Sequence, residues 1–338
     1  TTVTYPSGTE TVKVPVEVLP KATPEKVTTL KDTTGENLTT AVKEKAQAAV
    51  GKLTLPSGIT AELVPNQTYD VPTTDSNGDK TAVPIKVQYK DATGTVVAED
   101  TINVPVTVVS STPKSLVVFE GDTVEAKTVQ DAVTPGTDGT KGNPAIPEDL
   151  TKTTGKKEVT VPVTYEGIKD PEQVKVPVTV LPVAKGEVTV PKGETTDKVK
   201  EVAKAKAEEV ASSADFKAKL PDGAKDVEVG AITEEVLATI TSEAGTNKGT
   251  VKVPVTYTVD DVKYTKDAEI TVSVVGSNAD QVYVVEGDKP EIAKVKDAVT
   301  PGQGGTVGEP TTLPETAGKA GATDVTVEVP VTYEGIKD

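Results

Sequence analysis

The 338-residue chain contains no cysteine, histidine, tryptophan or methionine, and no arginine. Each absence closes a class of chemistry. Without cysteine there is no thiolate nucleophile, no disulfide and no thiolate metal site; without histidine there is no imidazole acid, base or ligand. Acidic residues number 52, and paired carboxylates can serve a glycosidase, but no feature of the sequence selects a pair. The chain is therefore expected not to be an enzyme and to hold no cofactor. It has no initiator methionine, no signal peptide and no apolar run long enough to cross a membrane, so it reads as an internal or processed piece. Thirty-six basic residues against 52 acidic ones leave a net charge of −16, which opposes attraction to nucleic acid or anionic lipid.

Aromatic residues make up only 3% of the chain, while valine and threonine, both strand formers, recur throughout. Cores must then be small, aliphatic and mostly β. The clearest pattern is repetition. The segment VPVTYEGIKD at 161–170 returns letter for letter at 329–338, and VTYPSGTETVKVPVEVLP at 3–20 matches VTYEGIKDPEQVKVPVTVLP at 163–182. A repeat of that length marks an array of small domains rather than one domain built around a cleft. Two module types alternate. Residues 1–20 read as the closing strands of a preceding short module, 21–111 as a long module, 112–182 as a short one, 183–277 as a second long one, and 278–338 as a short module lacking its closing strand. The long modules align on KLTLPSG (52–58) and KAKLPDG (217–223), the short ones on DAVTPG (131–136 and 297–302).

Strict alternation marks the strands. Val174, Val176, Val178 and Val180 fall on one face with Lys175, Pro177 and Thr179 on the other, and Val12, Val14, Val16 and Val18 repeat the pattern. Proline cannot donate to a ladder, so Pro15 and Pro177 are expected on edge strands. The VPV signature at 104–106, 161–163, 253–255 and 329–331 extends that expectation to every module, as a guard against sheet-to-sheet aggregation. Helices are expected only in the long modules. In the second, Thr196 is placed to cap a stretch whose Val199, Val202, Ala203 and Val210 share a face; in the first, Leu38, Val42, Ala49 and Val50 are spaced comparably. The long module should be mixed α and β, the short one mainly β with one helical turn around 129–133. Linkers such as LPVAKG (181–186) and VVSSTPK (108–114) are short, which restrains neighbours end to end. Sheets of about 30 Å each would make a rod of more than roughly 100 Å.

The segment VTYPSGTETVKVPVEV is similar to the closing strands of Rib and alpha-like repeats, which carry a Tyr-Pro-Asp-Gly-Thr turn before alternating valines. Here the turn is Tyr5, Pro6, Ser7, Gly8 and Thr9, with serine in place of aspartate, and the other copies read YEGIKD, which makes the modules atypical. The resemblance covers the short modules best and the helical segments of the long modules poorly. It implies immunoglobulin-like β-sandwich modules in an extracellular, cell-wall-anchored surface protein of a Gram-positive bacterium, where such repeats project an adhesive domain from the wall. The fold expected is thus mainly β, an elongated tandem array of Rib-like sandwiches alternating with helix-containing modules. The function expected is a stalk or spacer for cell adhesion. The alternatives are modules that bind a host protein or glycan, or subunits that link into a fibre by exchanging the strand at 1–20. Neighbouring repeats of the same polypeptide are the partners expected first.

Three motifs carry possible chemistry. Asp75, Asn77 and Asp79 have the alternate-residue oxygens of a calcium loop, but Lys80 stands where the sharp-turn glycine belongs, so a solvated hairpin turn is the reading. LPETAG at 313–318 has the form of a sortase signal, yet a further strand follows it rather than an apolar span and basic tail. Lysine–asparagine or lysine–aspartate isopeptide bonds need a buried carboxylate in an apolar, often aromatic pocket, and no pair can be assigned. Tyr5, Tyr165 and Tyr333 occupy one position in successive units, which favours packing over glycan binding; Phe119 and Phe216 are expected in the cores of their modules.

Overall fold

The computed structural model describes residues 1–5, 8–315 and 326–333. Pro6 and Ser7 of the first turn, residues 316–318 of LPETAG and residues 334–338 of the second YEGIKD lie outside the described residues, as does the side chain of Tyr5. The chain is mainly β, with 39% strand and 17% helix. It divides into two compact units: Thr1–Leu116, Val124–Pro147 and Glu158–Pro177 form one; Val117–Thr123, Glu148–Lys157 and Val178–Asp338 form the other.

The first unit opens with a hairpin of β1 (Thr2–Tyr5) and β2 (Gly8–Thr11). The valines that follow do not behave as their alternation suggests. Val12, Val14, Val16 and Val18 lie in no strand and their side chains are exposed, because no described strand runs beside them. Beyond them, β3 (Val27–Leu30), α1 (Gly35–Gly51), β4 (Thr60–Leu63), β5 (Gly78–Lys90) and β6 (Val96–Val109) build a four-stranded sheet in the order β3-β6-β5-β4. β3 runs parallel to β6 and the other pairs are antiparallel. Thr34 caps α1, its hydroxyl accepting the Asn37 N–H at 3.4 Å. Leu38, Val42, Ala46, Ala49 and Val50 recur at helical spacing and are buried with Val83, Ile85, Val87, Ile102, Val104 and Val106 of the sheet. Each buried valine or leucine contributes about 1.5–3 kcal/mol.

The first short segment comprises β7 (Thr112–Pro113), β8 (Leu116–Phe119), α2 (Ala126–Asp131), β9 (Val133–Thr134), β10 (Thr140–Lys141), β11 (Gly155–Thr164) and β12 (Glu172–Leu181). Its sheet has the order β10-β11-β12-β8, and β7 pairs with β9. In β12 the four alternating valines are all buried, as expected. The helical turn anticipated near residue 129 is α2, with Val129 inward.

The second unit repeats the long-module plan with β13 (Lys185–Pro191), α3 (Thr196–Ser212), α4 (Ala214–Ala218), β14 (Ala224–Val229), β15 (Gly245–Val259) and β16 (Val262–Val275), in the order β13-β16-β15-β14. The cap of α3 is Thr195 rather than Thr196: Thr195 keeps the extended backbone a cap requires, and its hydroxyl accepts the Lys198 N–H at 3.3 Å. Val199, Ala203, Ala207 and Ala211 are buried, with Val202 and Val210 packed at the side. The last short segment contributes β17 (Asn278–Ala279), α5 (Ile292–Asp297), β18 (Val299–Thr300), β19 (Gly305–Val307) and β20 (Val331–Tyr333), in the pairs β17-β18 and β19-β20.

The prolines do not mark edge strands. Pro105, Pro177 and Pro254 lie in β6, β12 and β15, all inner strands. For the prolines whose partner strand is short, the reason is local. β14 pairs with β15 as far as Val229↔Val255, and the next bond is the Gly230 N–H to the Pro254 carbonyl at 2.8 Å. β10 leaves β11 after Lys141↔Val163 with Gly142 N–H to the Pro162 carbonyl at 2.7 Å. β19 leaves β20 after Val307↔Val331 with Gly308 N–H to the Pro330 carbonyl at 2.7 Å. Each proline therefore sits at the last rung before the short partner strand departs, accepting one ladder bond through its carbonyl and needing to donate none. The first long module solves the same problem differently. β4 ends at Leu63↔Val87, the Val64 N–H reaches the Lys86 carbonyl at 3.0 Å, and the N–H of Lys86 is met by the Gln67 side chain at 2.8 Å.

Candidate functional site

Two hydrogen-bonded contacts, called joints below, recur at matching positions of the sequence. The first is a tyrosine on the last turn-ward stretch of a long hairpin. The Tyr89 hydroxyl of β5 donates to the Pro20 carbonyl at 2.6 Å, and the Tyr257 hydroxyl of β15 donates to the Pro182 carbonyl at 2.8 Å. Pro20 and Pro182 close the same LP pair in the two matching segments. Tyr257 is fully buried, with the Phe119 ring 5.6 Å away at 59° and the Phe216 ring 6.4 Å away at 33°, tilted geometries that aromatic pairs favour. Phe119, expected in the core of its own short module, packs into the cluster that holds Tyr257 and Phe216. Burial pushes the Tyr257 phenol well above its ordinary range, and Tyr89 is raised by burial and then by the nearby Asp100 carboxylate. Beside this joint Lys266 lies 2.6 Å from Asp122 and 5.6 Å from the centre of the Phe119 ring, while the other Asp122 oxygen accepts the Phe119 N–H at 3.0 Å.

The second joint ties a linker to the DAVTPG loop. The Gly136 N–H donates to Tyr165 Oη at 3.0 Å, and Ser111 Oγ lies 2.8 Å from the same oxygen. Glu172 gathers this group: it accepts the Ser111 N–H on both oxygens at 3.0 Å, the Ser111 hydroxyl at 2.6 Å and the Tyr165 hydroxyl at 3.0 Å. Burial raises the Tyr165 phenol above its usual range. In the second copy Ser277 Oγ lies 2.6 Å from Tyr333 Oη, and the Gly302 N–H donates to that oxygen at 3.2 Å. Glycine is required by approach rather than by backbone angle. A Cβ on Gly136 would stand 2.8 Å from the Ser110 carbonyl oxygen, and one on Gly302 would stand closer still to that of Gly276.

These groups hold one another. The sequence-derived candidates are dispersed in the same way. Asp75 accepts from Thr73 and Ser76 at 3.3 Å, Asn77 accepts the Ser110 hydroxyl at 2.9 Å, and Asp79 accepts the Thr107 hydroxyl at 2.6 Å. Three separate tasks occupy the three residues, and among the described residues no group of three acidic side chains is arranged to hold a metal ion. A cleft of about 560 Å³ beside the second joint is lined by Glu187, Ser273, Gln303 and Tyr333, with Ser273 donating to Glu187 at 2.6 Å. Among the described residues that line it, Glu187 is the one carboxylate. Among the described residues no helix is long and apolar enough to cross a membrane. Sequence reading placed Tyr165 and Tyr333 together but missed Tyr89 and Tyr257, although they too recur at matching positions.

No protein-family model matches the chain, and no curated protein matches it. Among solved structures, it is similar to an endo-fucoidan hydrolase of glycoside hydrolase family 107 (13% identity, TM-score 0.15, 66% of this chain and 38% of that one). It is also similar to Drosophila N-cadherin EC1-4 (12%, TM-score 0.17, 75% of each chain) and to the I-band fragment I67-I69 of titin (10%, TM-score 0.18, 75% of this chain and 97% of that one). The chain thus spans well under half of the hydrolase chain.

Proposed function

We propose that the chain is a spacer: a tandem array of Rib-like β modules and helix-containing modules that sets the distance between a Gram-positive cell wall and an adhesive tip. The wall and the tip come from the sequence resemblance alone. The observation that carries the spacer reading is the reuse of the same atoms at successive joints, Tyr89–Pro20 with Tyr257–Pro182 and Tyr165–Gly136–Ser111 with Tyr333–Gly302–Ser277. A hydrogen bond from a buried hydroxyl on one module to the backbone leaving another limits the swing that a short linker would otherwise permit. The work of such a protein is mechanical, and the acidic surface keeps neighbouring copies apart.

The rival reading, in which the modules bind a host protein or glycan, would be supported by an aromatic patch present on both copies. Tyr283 is 83% exposed, but its counterpart Val117 is packed against a core, so that patch is not repeated. Small-angle X-ray scattering of the 338-residue chain tests the spacer. A maximum dimension above roughly 100 Å, from modules of about 30 Å each, is expected, and a compact envelope overturns the proposal.

A further inference from the structure

In both long modules the first strand lies beside the last and runs parallel to it. β3 pairs with β6 from Val27↔Val106 to Leu30↔Val109, four residues, and β13 pairs with β16 from Lys185↔Glu269 to Pro191↔Val275, seven residues. A helical segment and two further strands separate the members of each pair in sequence, so these are the strands by which the chain enters and leaves each sheet. Direction decides what tension does to them. When neighbours run the same way, the entry of one and the exit of the other lie at opposite ends of their shared ladder. A pull along the chain then slides the strands past each other, and all rungs resist together. In an antiparallel hairpin pulled from its two ends, the rungs open one after another.

The two ladders are unequal, and the sequence shows why. They finish alike: the Lys31 N–H donates to the Val109 carbonyl at 2.9 Å, and the Lys192 N–H to the Val275 carbonyl at 2.7 Å. Val27↔Val106 and Val188↔Val272 are matching rungs, so the second ladder is the longer one at its start. There the Glu269 N–H donates to the Ala184 carbonyl at 3.0 Å. Backbone groups of successive strand residues face alternate neighbours, so Glu269 and Val275 place the N–H of Thr271 toward β13 too. The residue of β6 that matches Thr271 is Pro105. It has no N–H to give, and β3 begins one rung beyond it. The second ladder also carries side-chain ties between its strands: Lys185 lies 3.3 Å from Glu269, and Ser273 donates to Glu187 at 2.6 Å.

We infer that the β3–β6 and β13–β16 ladders are clasps against tension of graded strength. The first yields at lower force than the second, so a stretched chain lengthens in steps instead of failing at once. That tension reaches them in use rests on the spacer reading. The clasp itself is a property of each sheet, and a compact envelope in scattering would remove the spacer and leave the clasp standing.

Single-molecule pulling on the whole chain tests it, with a cysteine appended at each end for attachment, since the chain has none of its own. Val27–Val109 spans 83 residues and Lys185–Val275 spans 91, so each long module should release about 300 Å of chain on opening. Two such steps at different forces are expected; two at one force overturn the grading. Thr271→Pro removes one rung at a position where the other module has proline natively, and it should bring the higher force down toward the lower. Leu220→Ala trims the core of the same unit away from the ladder. Forced opening follows the unfolding barrier rather than overall stability, so this variant should lower the melting temperature and leave the force nearly unchanged. A force that falls as far with Leu220→Ala as with Thr271→Pro overturns the clasp, and the parent's two forces decide the matter alone if the proline variant does not fold.

Discussion

The Tyr257 hydroxyl meets the Pro182 carbonyl at 2.8 Å across 75 residues of sequence, from a ring withdrawn completely from solvent. Removing that hydroxyl leaves a carbonyl in apolar surroundings without its donor. Tyr257→Phe should therefore destabilise the second unit by about 1–3 kcal/mol, and Tyr257→Ala, which also empties the space between Phe119 and Phe216, by about 3–5 kcal/mol. Thermal unfolding followed by circular dichroism measures both. An unchanged melting temperature for Tyr257→Phe would deny the bond a structural role.

Gly136 and Gly302 are the closest approaches of loop to linker. Alanine at either position forces the Ser110 or Gly276 backbone away, at a cost of about 1–3 kcal/mol, and should speed amide exchange at Ser111 or Ser277. Gly51→Ala is the control: its Cβ would meet nothing within 4 Å, and alanine at a helical position is expected to be neutral or mildly stabilising.

Gln67 and Lys86 do together what proline does alone in the other modules. Gln67→Ala leaves the Lys86 N–H without its 2.8 Å acceptor and should cost about 1 kcal/mol. Lys86→Pro removes the donor, so the double variant should recover most of that loss. A double-mutant cycle on urea-unfolding free energies reads the coupling directly; strictly additive effects would contradict the pairing.

Burial holds the Tyr257, Tyr165 and Tyr69 phenols above their usual range, and Tyr89 is raised by burial with help from Asp100. A raised pKa in the folded state means that folding favours the protonated phenol. The associated stability is complete below the unfolded value, about pH 10, and is lost as the pH climbs beyond it. With no tryptophan in the chain, tyrosinate absorbance reports this cleanly. It should rise in two stages, the later one coinciding with loss of the β signal in circular dichroism. One stage for all eight tyrosines, at a pH where the fold is still intact, would exclude a buried set.

Faces were legible in the sequence; neighbours were not. The alternation of Val174–Val180 and the helical spacing of Leu38, Val42 and Val199 name the residues that turn inward, since periodicity is a property of the segment itself. The same alternation at Val12–Val18 says nothing about whether a partner strand exists, and among the described residues none runs beside it. Proline in a strand says that an N–H is not needed, which a true edge and the last rung beside a shorter strand satisfy equally. Thr195 and Thr196 are adjacent and chemically equivalent, so only backbone conformation separates cap from first helical residue. The Tyr257–Pro182 and Tyr165–Ser111 bonds join residues far apart in sequence, and short-range patterns are silent there. Recurrence was the one available signal: Tyr89 with Tyr257 and Gly136 with Gly302 could have been paired by alignment before their geometry was known.

The make-up of the Tyr257–Pro182 contact decides what could undo it. A phenol and a peptide carbonyl contain no sulfur for an oxidant or reductant, no bound ion for a chelator, and no group that changes charge between mild acid and neutrality. The contact is also roofed by aromatic rings rather than by charges, so salt has little to screen. Its strength is fixed by what the ring packs against, and it should stay the same through swings of redox state, calcium level and acidity that would loosen a disulfide, a metal clasp or a histidine clamp.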